Sequence, residues 1–224
     1  MIRRAILALS SAILLGAWNG TTASAAGWSI DAFGGGAMPT GDFASENFAD
    51  AQTGYQFGGA FDYHMSDMWA FGVDLSWVKN PQGAEGETID LGGGDSYTLD
   101  SDKFSTMQYG VHARATFPGT SALRYSVLLG FGMYSIKEKW EETFVSGGVS
   151  TTNEGETDAE TGFGVRLGAG TMFAMKPRWG IGLDVDYNIV SEDNDNLLSS
   201  LPSSLQYLGF KGVVRYTLPG GSGQ

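Results

Sequence analysis

Residues 52–80 read QTGYQFGGAFDYHMSDMWAFGVDLSWVKN, and this stretch decides the fold. Large apolar side chains alternate with small or polar ones in two runs, which flank the short link Met65-Ser66-Asp67. A period of two predicts pleated strands with one apolar and one polar face. So short a link predicts an antiparallel hairpin. The apolar face carries the aromatic residues and the other carries Gly, Asp and His, which is typical of a barrel surrounded by lipid.

The start of the chain has the features of a secretory signal peptide. Arg3 and Arg4 precede an apolar segment over residues 5–18, and Ala23-Ser24-Ala25 is a small-residue cleavage site. An uncleaved membrane anchor is the alternative, but serines and a glycine interrupt the segment, which is short for a membrane span. We predict a signal peptide over residues 1–25, a β-barrel over residues 26–218 and a short tail over residues 219–224.

Composition narrows the class of protein further. No other stretch approaches the ~20 apolar residues of a membrane-spanning helix, and lipid leaves a closed barrel as the other way to cross. The chain has no cysteine, so neither a disulfide nor a lipid-modified cysteine is available. The formal net charge of −12 disfavours nucleic acid as a partner. The 34 glycines suit a tightly curved sheet.

The same alternation recurs along the rest of the chain. It marks further strands over residues 28–36, 106–117, 123–136, 162–174, 179–190 and 207–218. With the hairpin these make eight, so we predict an all-β fold, an eight-stranded antiparallel up-and-down transmembrane β-barrel.

The connections between the strands predict how the barrel is oriented. Long connections alternate with short turns, and in outer-membrane barrels the short turns and both termini lie in the periplasm. We interpret residues 80–103 as a long loop. Residues 137–160 form a second long acidic segment, whose middle can form a hairpin beyond the membrane.

Charged side chains on the inward faces form a candidate interior network. Its members are Asp31, Asp62, Asp74, His112, Arg114, Arg124, Arg166, Asp184, Asp186, Lys211 and Arg215. A slip of one residue in strand register would turn such arginines toward lipid, at roughly 2–4 kcal/mol each near the midplane. Either the network fills the interior with ion pairs, or the inward glycines leave a narrow polar channel. We favour the filled interior, because an eight-stranded barrel just accommodates its own side chains.

Aromatic residues recur beside the predicted periplasmic ends of the strands. They are Tyr63, Trp69, Phe117, Tyr125, Phe173, Trp179 and Tyr216. Such a band is expected where a barrel wall meets the lipid headgroups.

The predicted strands and the last strand together resemble the small outer-membrane β-barrel superfamily, which includes the membrane domain of OmpA, OmpX and the opacity-porin-like barrels. In the last strand Leu208, Phe210, Gly212, Val214, Tyr216 and Leu218 alternate like the C-terminal signal for barrel insertion. The family usually ends on an aromatic residue, whereas this chain continues to residue 224. The resemblance implies recognition by the barrel-assembly machinery, and outer-membrane lipid and lipopolysaccharide as surroundings. It covers many functions, so the fold leaves the role open.

Three hypotheses for function follow, with no cofactor expected in any. The first is a structural or surface-interaction barrel without catalysis, and the second is a narrow pore for small solutes. The third is a lipid-modifying enzyme based on His64 and Ser66, for which an ordinary turn is the simpler interpretation. Two histidines without cysteine argue against a transition-metal site. The acidic loops suggest weak Ca²⁺ or Mg²⁺ binding that bridges to lipopolysaccharide phosphates. A soluble lipocalin-like barrel is the rival fold, and it would keep its apolar face inside.

Overall fold

A computed structural model describes residues 27–45, 50–83, 88–119, 122–176, 178–192 and 204–219. The predicted signal peptide and residues 220–224 of the predicted tail lie outside the described residues. Within those ranges, no helix is both long enough and apolar enough to cross a membrane.

The described residues form ten strands and one short 3₁₀ helix, Gly41–Ala44. The strands are Gly27–Thr40 (β1), Gly54–His64 (β2), Trp69–Pro81 (β3), Thr88–Gly92 (β4), Asp95–Pro118 (β5), Leu123–Ser146 (β6), Val149–Glu156 (β7), Glu160–Lys176 (β8), Trp179–Glu192 (β9) and Ser204–Thr217 (β10). All except β4 and β7 pair antiparallel with a neighbour on each side, and β1 pairs with β10 to close the ring. The predicted eight-stranded antiparallel barrel is confirmed.

The wall of the barrel is apolar outside and polar inside. Along β3, Phe71, Val73 and Leu75 are exposed, whereas Asp74 and Ser76 are buried. Neighbouring strands repeat this pattern in register, so Val73 lies opposite Val111 and Asp74 opposite Gly110. This arrangement is the reverse of a lipocalin-like barrel and excludes that rival fold.

The prediction that residues 80–103 form a loop is wrong. β3 continues to Pro81, and β4 and β5 form a hairpin whose turn uses Gly92, Gly93 and Gly94 at positive φ. In β4, Ile89 and Leu91 alternate with Thr88 and Asp90, but this run is only five residues long and is followed by Gly93 and Gly94, so it is too short to predict a strand from the sequence.

The second long acidic segment does form the anticipated hairpin. β6 continues to Ser146, turns at Gly147 and Gly148 with φ of 59° and 80°, and pairs with β7. Together, β4, the start of β5, the end of β6 and β7 make a four-stranded sheet that extends beyond the barrel wall. We call residues 88–98 and 139–156 the protruding sheet.

Candidate functional site

The interior of the barrel is the candidate site, because its contents decide whether solutes can pass. At its centre His112 of β5 bridges two buried carboxylates. Its Nε2 lies 2.8 Å from Asp62 Oδ1 and its Nδ1 lies 2.8 Å from Asp74 Oδ2. Carboxylates accept hydrogen bonds, so both ring nitrogens must donate, and His112 is an imidazolium cation in this arrangement.

Asp74 of β3 is the most heavily bonded carboxylate of the network. Arg166 of β8 crosses the interior and forms a bidentate pair with it, with hydrogen bonds of 2.9 and 2.6 Å. Gln108 Nε2 donates a longer bond of 3.4 Å. Asp74 therefore joins side chains from β5 and β8 across the lumen. Bidentate, charge-assisted pairs are the strongest hydrogen bonds available to such groups.

A second set of pairs lies around Arg215 and Arg114. Arg215 forms a bidentate pair with Asp31, at 2.7 and 2.6 Å, and reaches Asp62 at 3.4 Å. Arg114 lies 3.5 Å from Asp31, 3.6 Å from Asp62 and 3.4 Å from Asp184. Arg114 thus lies among three carboxylates without a bidentate partner.

Lys211 of β10 is the remaining cation of the interior network. Its Nζ donates to Asp186 at 2.8 Å and lies 4.8 Å from the centre of the Phe33 ring. Asn188 also donates to Asp186, and Tyr134 donates to Asn188.

The charges of the network balance only when His112 is protonated. The carboxylates are Asp31, Asp62, Asp74, Asp184 and Asp186, and the lysine and arginine cations are Arg114, Arg166, Lys211 and Arg215. The imidazolium supplies the one remaining positive charge. An interior without net charge avoids the large penalty of an unpaired buried ion.

Arg124 does not join this network, contrary to the prediction. It is exposed near the start of β6, opposite Pro118, where the wall ends at a short turn. Its place in the alternation points inward, but at the rim there is no enclosed interior for the side chain to enter.

A layer of apolar side chains closes the end of the barrel that carries the long connections. Phe43 of the 3₁₀ helix is buried, and its ring lies 5.4 Å from that of Phe104 in an edge-to-face contact. The other members of this apolar layer are Ala37, Ala51, Val78, Tyr134, Ile136, Val190, Leu205 and Tyr207. Sequence reasoning missed Phe43, which is one of two phenylalanines, with Phe48, in the connection between β1 and β2.

Little space remains inside the described part of the barrel. Two cavities of about 20 and 10 Å³ lie beside Arg114, Arg166 and Lys211. A water molecule needs roughly 10–15 Å³. Each cavity therefore holds about one water, and the network side chains Asp62, Arg114 and Arg166 are at most 4% exposed.

The predicted interface aromatics lie at the barrel end that carries the short turns. Trp179 contacts Tyr216 across β9 and β10, with ring centres 4.7 Å apart, and Tyr63 contacts Trp28 at 4.6 Å. Phe117 lies opposite Tyr125. Trp69 begins β3, and Phe173 lies near the end of β8.

His64 and Ser66, on which the enzyme hypothesis is based, make other contacts in the structure. Ser66 Oγ accepts hydrogen bonds from the backbone N–H groups of Met68 and Trp69, which is a turn contact. His64 Nε2 lies 2.9 Å from Ser29 Oγ. The histidine and Ser66 are therefore engaged with different partners. In the described ranges, no group of three or more His, Asp or Glu side chains is arranged to hold a metal ion.

Comparison with known proteins gives a family and a set of similar folds. A family model described as outer membrane protein beta-barrel domain matches residues 5–202. Neisserial surface protein A (NspA) is 16% identical, with a TM-score of 0.54 over 87% of this chain and 99% of that chain. OprG of Pseudomonas aeruginosa is 14% identical (TM-score 0.43, 87% and 97% covered), and Ail of Yersinia pestis is 19% identical (TM-score 0.40, 85% and 99% covered). None of the curated proteins compared with the chain matches it.

Proposed function

Because the chain belongs to the outer membrane β-barrel family, and so to the outer membrane, we propose that it is a closed barrel that presents an interaction surface outside the cell. The observation that carries this proposal is the filled lumen. Ion pairs occupy its middle and the apolar layer around Phe43 and Phe104 occupies one end. A barrel filled in this way functions through the surface that it displays outside the cell and not through the passage of solutes.

The protruding sheet supplies the surface for interaction. Ile89, Tyr97 and Phe144 lie opposite one another on β4, β5 and β6, and therefore on one face. Ile89 and Phe144 are exposed, as are Leu91 and Val149 at the two turns. Exposed apolar and aromatic side chains away from lipid are typical of protein interaction sites. In addition, β4 and β7 each pair with one neighbour only in the described sheet, which leaves edges that can accept an extended segment.

We further propose that the long connections face the exterior and both termini the periplasm. Outer-membrane barrels keep their short turns on the periplasmic side, and the turns after β2, β5 and β8 are the short ones here. In this orientation the barrel-assembly machinery recognises β10, and lipopolysaccharide surrounds the base of the protruding sheet.

Single-cysteine labelling tests the orientation, since the natural chain has no cysteine. Thr151 of β7 and Asp67 of the β2–β3 turn are both exposed and lie at opposite ends of the barrel. We expect Thr151→Cys to react with a membrane-impermeant maleimide on intact cells. Asp67→Cys should react only after the outer membrane is permeabilised. Labelling of Asp67→Cys on intact cells, with Thr151→Cys protected, would mean the opposite orientation.

A narrow pore is the second candidate, favoured by one feature of the interior. Arg114 lacks a bidentate partner, and its Nε and Asp184 Oδ1 are buried without a hydrogen bond. Both cavities adjoin its side chain. A rearrangement of Arg114 would enlarge the polar space, so a pore would open at this residue. Conductance separates the two candidate functions.

A further inference from the structure

The end of β6 carries a carboxylate between two aromatic residues on one face of the protruding sheet. Trp140, Glu142 and Phe144 are every second residue of the strand, so their side chains share a face. That face continues the side of β6 on which Ile136 is buried inside the barrel. Beyond the wall the same side is accessible, since Phe144 is exposed and Trp140 and Glu142 are half-buried.

The two neighbouring strands complete this arrangement. Tyr97 of β5 lies directly opposite Phe144, and its hydroxyl donates a hydrogen bond of 3.0 Å to Glu142 Oε2. On the other side, Gly155 of β7 lies opposite Trp140, and the indole occupies the space that a β-carbon at Gly155 would need. Three rings therefore flank one carboxylate. We call Tyr97, Trp140, Glu142 and Phe144 the aromatic–carboxylate cluster.

The sheet that carries this cluster is strongly acidic. The protruding sheet contains six carboxylates and one lysine, which give it a formal charge of −5. The lysine, Lys139, pairs with Glu156 at 2.9 Å. Within the part of the chain that the structure describes, Glu142 forms no ion pair with a lysine or an arginine. Its one hydrogen-bond partner there is the neutral Tyr97 hydroxyl, so its negative charge is left for a cation from outside.

A carboxylate flanked by aromatic rings is suited to an organic cation. The negative face of a ring attracts a cation placed over it, and the carboxylate supplies the opposite charge. A guanidinium fits such a site better than an ammonium group does. It is planar and weakly hydrated, it stacks on aromatic faces, and its donors match the two oxygens of a carboxylate.

The surroundings of the cluster favour a protein as the source of that guanidinium. Small molecules are usually held in concave pockets, whereas this cluster lies on the open face of a sheet. Ile89 of β4 lies opposite Tyr97 and is exposed, as is Val149 at the β6–β7 turn. These apolar side chains extend the contact area beyond a single cation. Arginine beside aromatic and apolar side chains is typical of protein interfaces.

We propose that the aromatic–carboxylate cluster binds an arginine side chain of a partner protein. The guanidinium pairs with the Glu142 carboxylate and stacks on Phe144, the most exposed of the three rings. Apolar residues beside the arginine contact Ile89. The inference rests on the proposed function, because it names the partner chemistry of the surface that the closed barrel presents.

The test is a peptide titration of the full-length protein in phosphatidylcholine nanodiscs, followed by fluorescence anisotropy, with empty nanodiscs as the background. The probe is a labelled octapeptide of alternating arginine and valine with blocked ends. Two further peptides replace arginine with lysine or with citrulline, which keeps the shape of arginine without its charge. We expect the arginine peptide to bind more tightly than the lysine peptide. The citrulline peptide should bind on the order of tenfold more weakly than the arginine peptide.

Glu142→Gln keeps the size of the side chain and removes its charge. It should weaken binding of the arginine peptide by about fivefold. Glu141→Gln is the matched control, because it removes the same charge from the next residue of β6, which lies on the opposite face. At physiological ionic strength charges are screened over about 8 Å, so the control should lose less than about twofold.

Phe144→Leu tests the ring independently of the charge. It keeps an apolar side chain, and it should weaken binding of the arginine peptide by about threefold. It should also reduce the preference for arginine over lysine, since the stacking surface is lost. Heat-modifiable gel migration confirms that each variant is folded.

Any of four results would overturn the proposal. They are no saturable binding of the arginine peptide, equal binding of the arginine and citrulline peptides, equal losses in Glu141→Gln and Glu142→Gln, and an unchanged affinity in Phe144→Leu. Nanodiscs leave both ends of the barrel accessible, so the titration does not depend on orientation. A failure of the proposed function would instead be seen in cysteine labelling and conductance.

Discussion

Asp74→Ala is expected to lower the free energy of unfolding of the barrel by about 3–5 kcal/mol, the cost of breaking a buried ion pair. Its removal leaves the Arg166 guanidinium and one ring nitrogen of His112 without their carboxylate, in an interior where Asp74 is 7% exposed. Whole domains are stable by only ~5–15 kcal/mol, so the effect is large. Urea unfolding in lipid vesicles, followed by tryptophan fluorescence, measures it.

Arg124→Ala is the control for this prediction. Arg124 is also a charged residue at an inward position of the alternation, but it is exposed and lies outside the network. Its substitution should change stability by no more than about 0.5 kcal/mol. Equal effects of the two substitutions would mean that the interior ion pairs do not hold the strands together.

Val73→Arg is expected to destabilise the folded barrel by roughly 2–4 kcal/mol, because it places a charge against lipid near the middle of β3. Val73 lies in a row with Val111, Phe131 and Val165, all on the outside of the wall. The Val73 side chain is 55% exposed, and we infer that the exposed part contacts acyl chains. The same vesicle unfolding experiment gives the difference.

Ile89→Arg provides the matched control on the protruding sheet. Ile89 is 51% exposed, almost the same fraction as Val73, but it lies beyond the barrel wall. The substitution should be nearly neutral, because water solvates the new charge. If Val73→Arg were also neutral, the apolar face would not be embedded in lipid.

The strands of the barrel wall were predictable because their two faces lie in different surroundings, lipid on one side and the enclosed polar interior on the other. Residues 69–77 alternate strictly because lipid selects Trp69, Phe71 and Val73 on one side and the enclosed interior selects Asp74 and Ser76 on the other. The same constraint predicted the positions of the interior charges. It does not act at the rim, which is why Arg124 departs from the prediction.

Features that depend on strand register or on single side-chain contacts could not be predicted from the sequence. Lys79 and Lys137 are far apart in the chain, and only the pairing of β3, β5 and β6 aligns them on one side of the barrel wall. β4 alternates over only five residues beside a run of glycines, which is too short a pattern to reveal a strand. Phe43 fills the barrel mouth through a turn of 3₁₀ helix, and no periodicity marks so short an element.

Conductance across a planar lipid bilayer tests most directly the claim that the barrel is closed. With the natural full-length protein inserted, we predict a bilayer current without discrete channel steps, because ion pairs and the apolar layer occupy the lumen. Reproducible single-channel steps from folded, heat-modifiable protein would contradict the account and make the chain a pore.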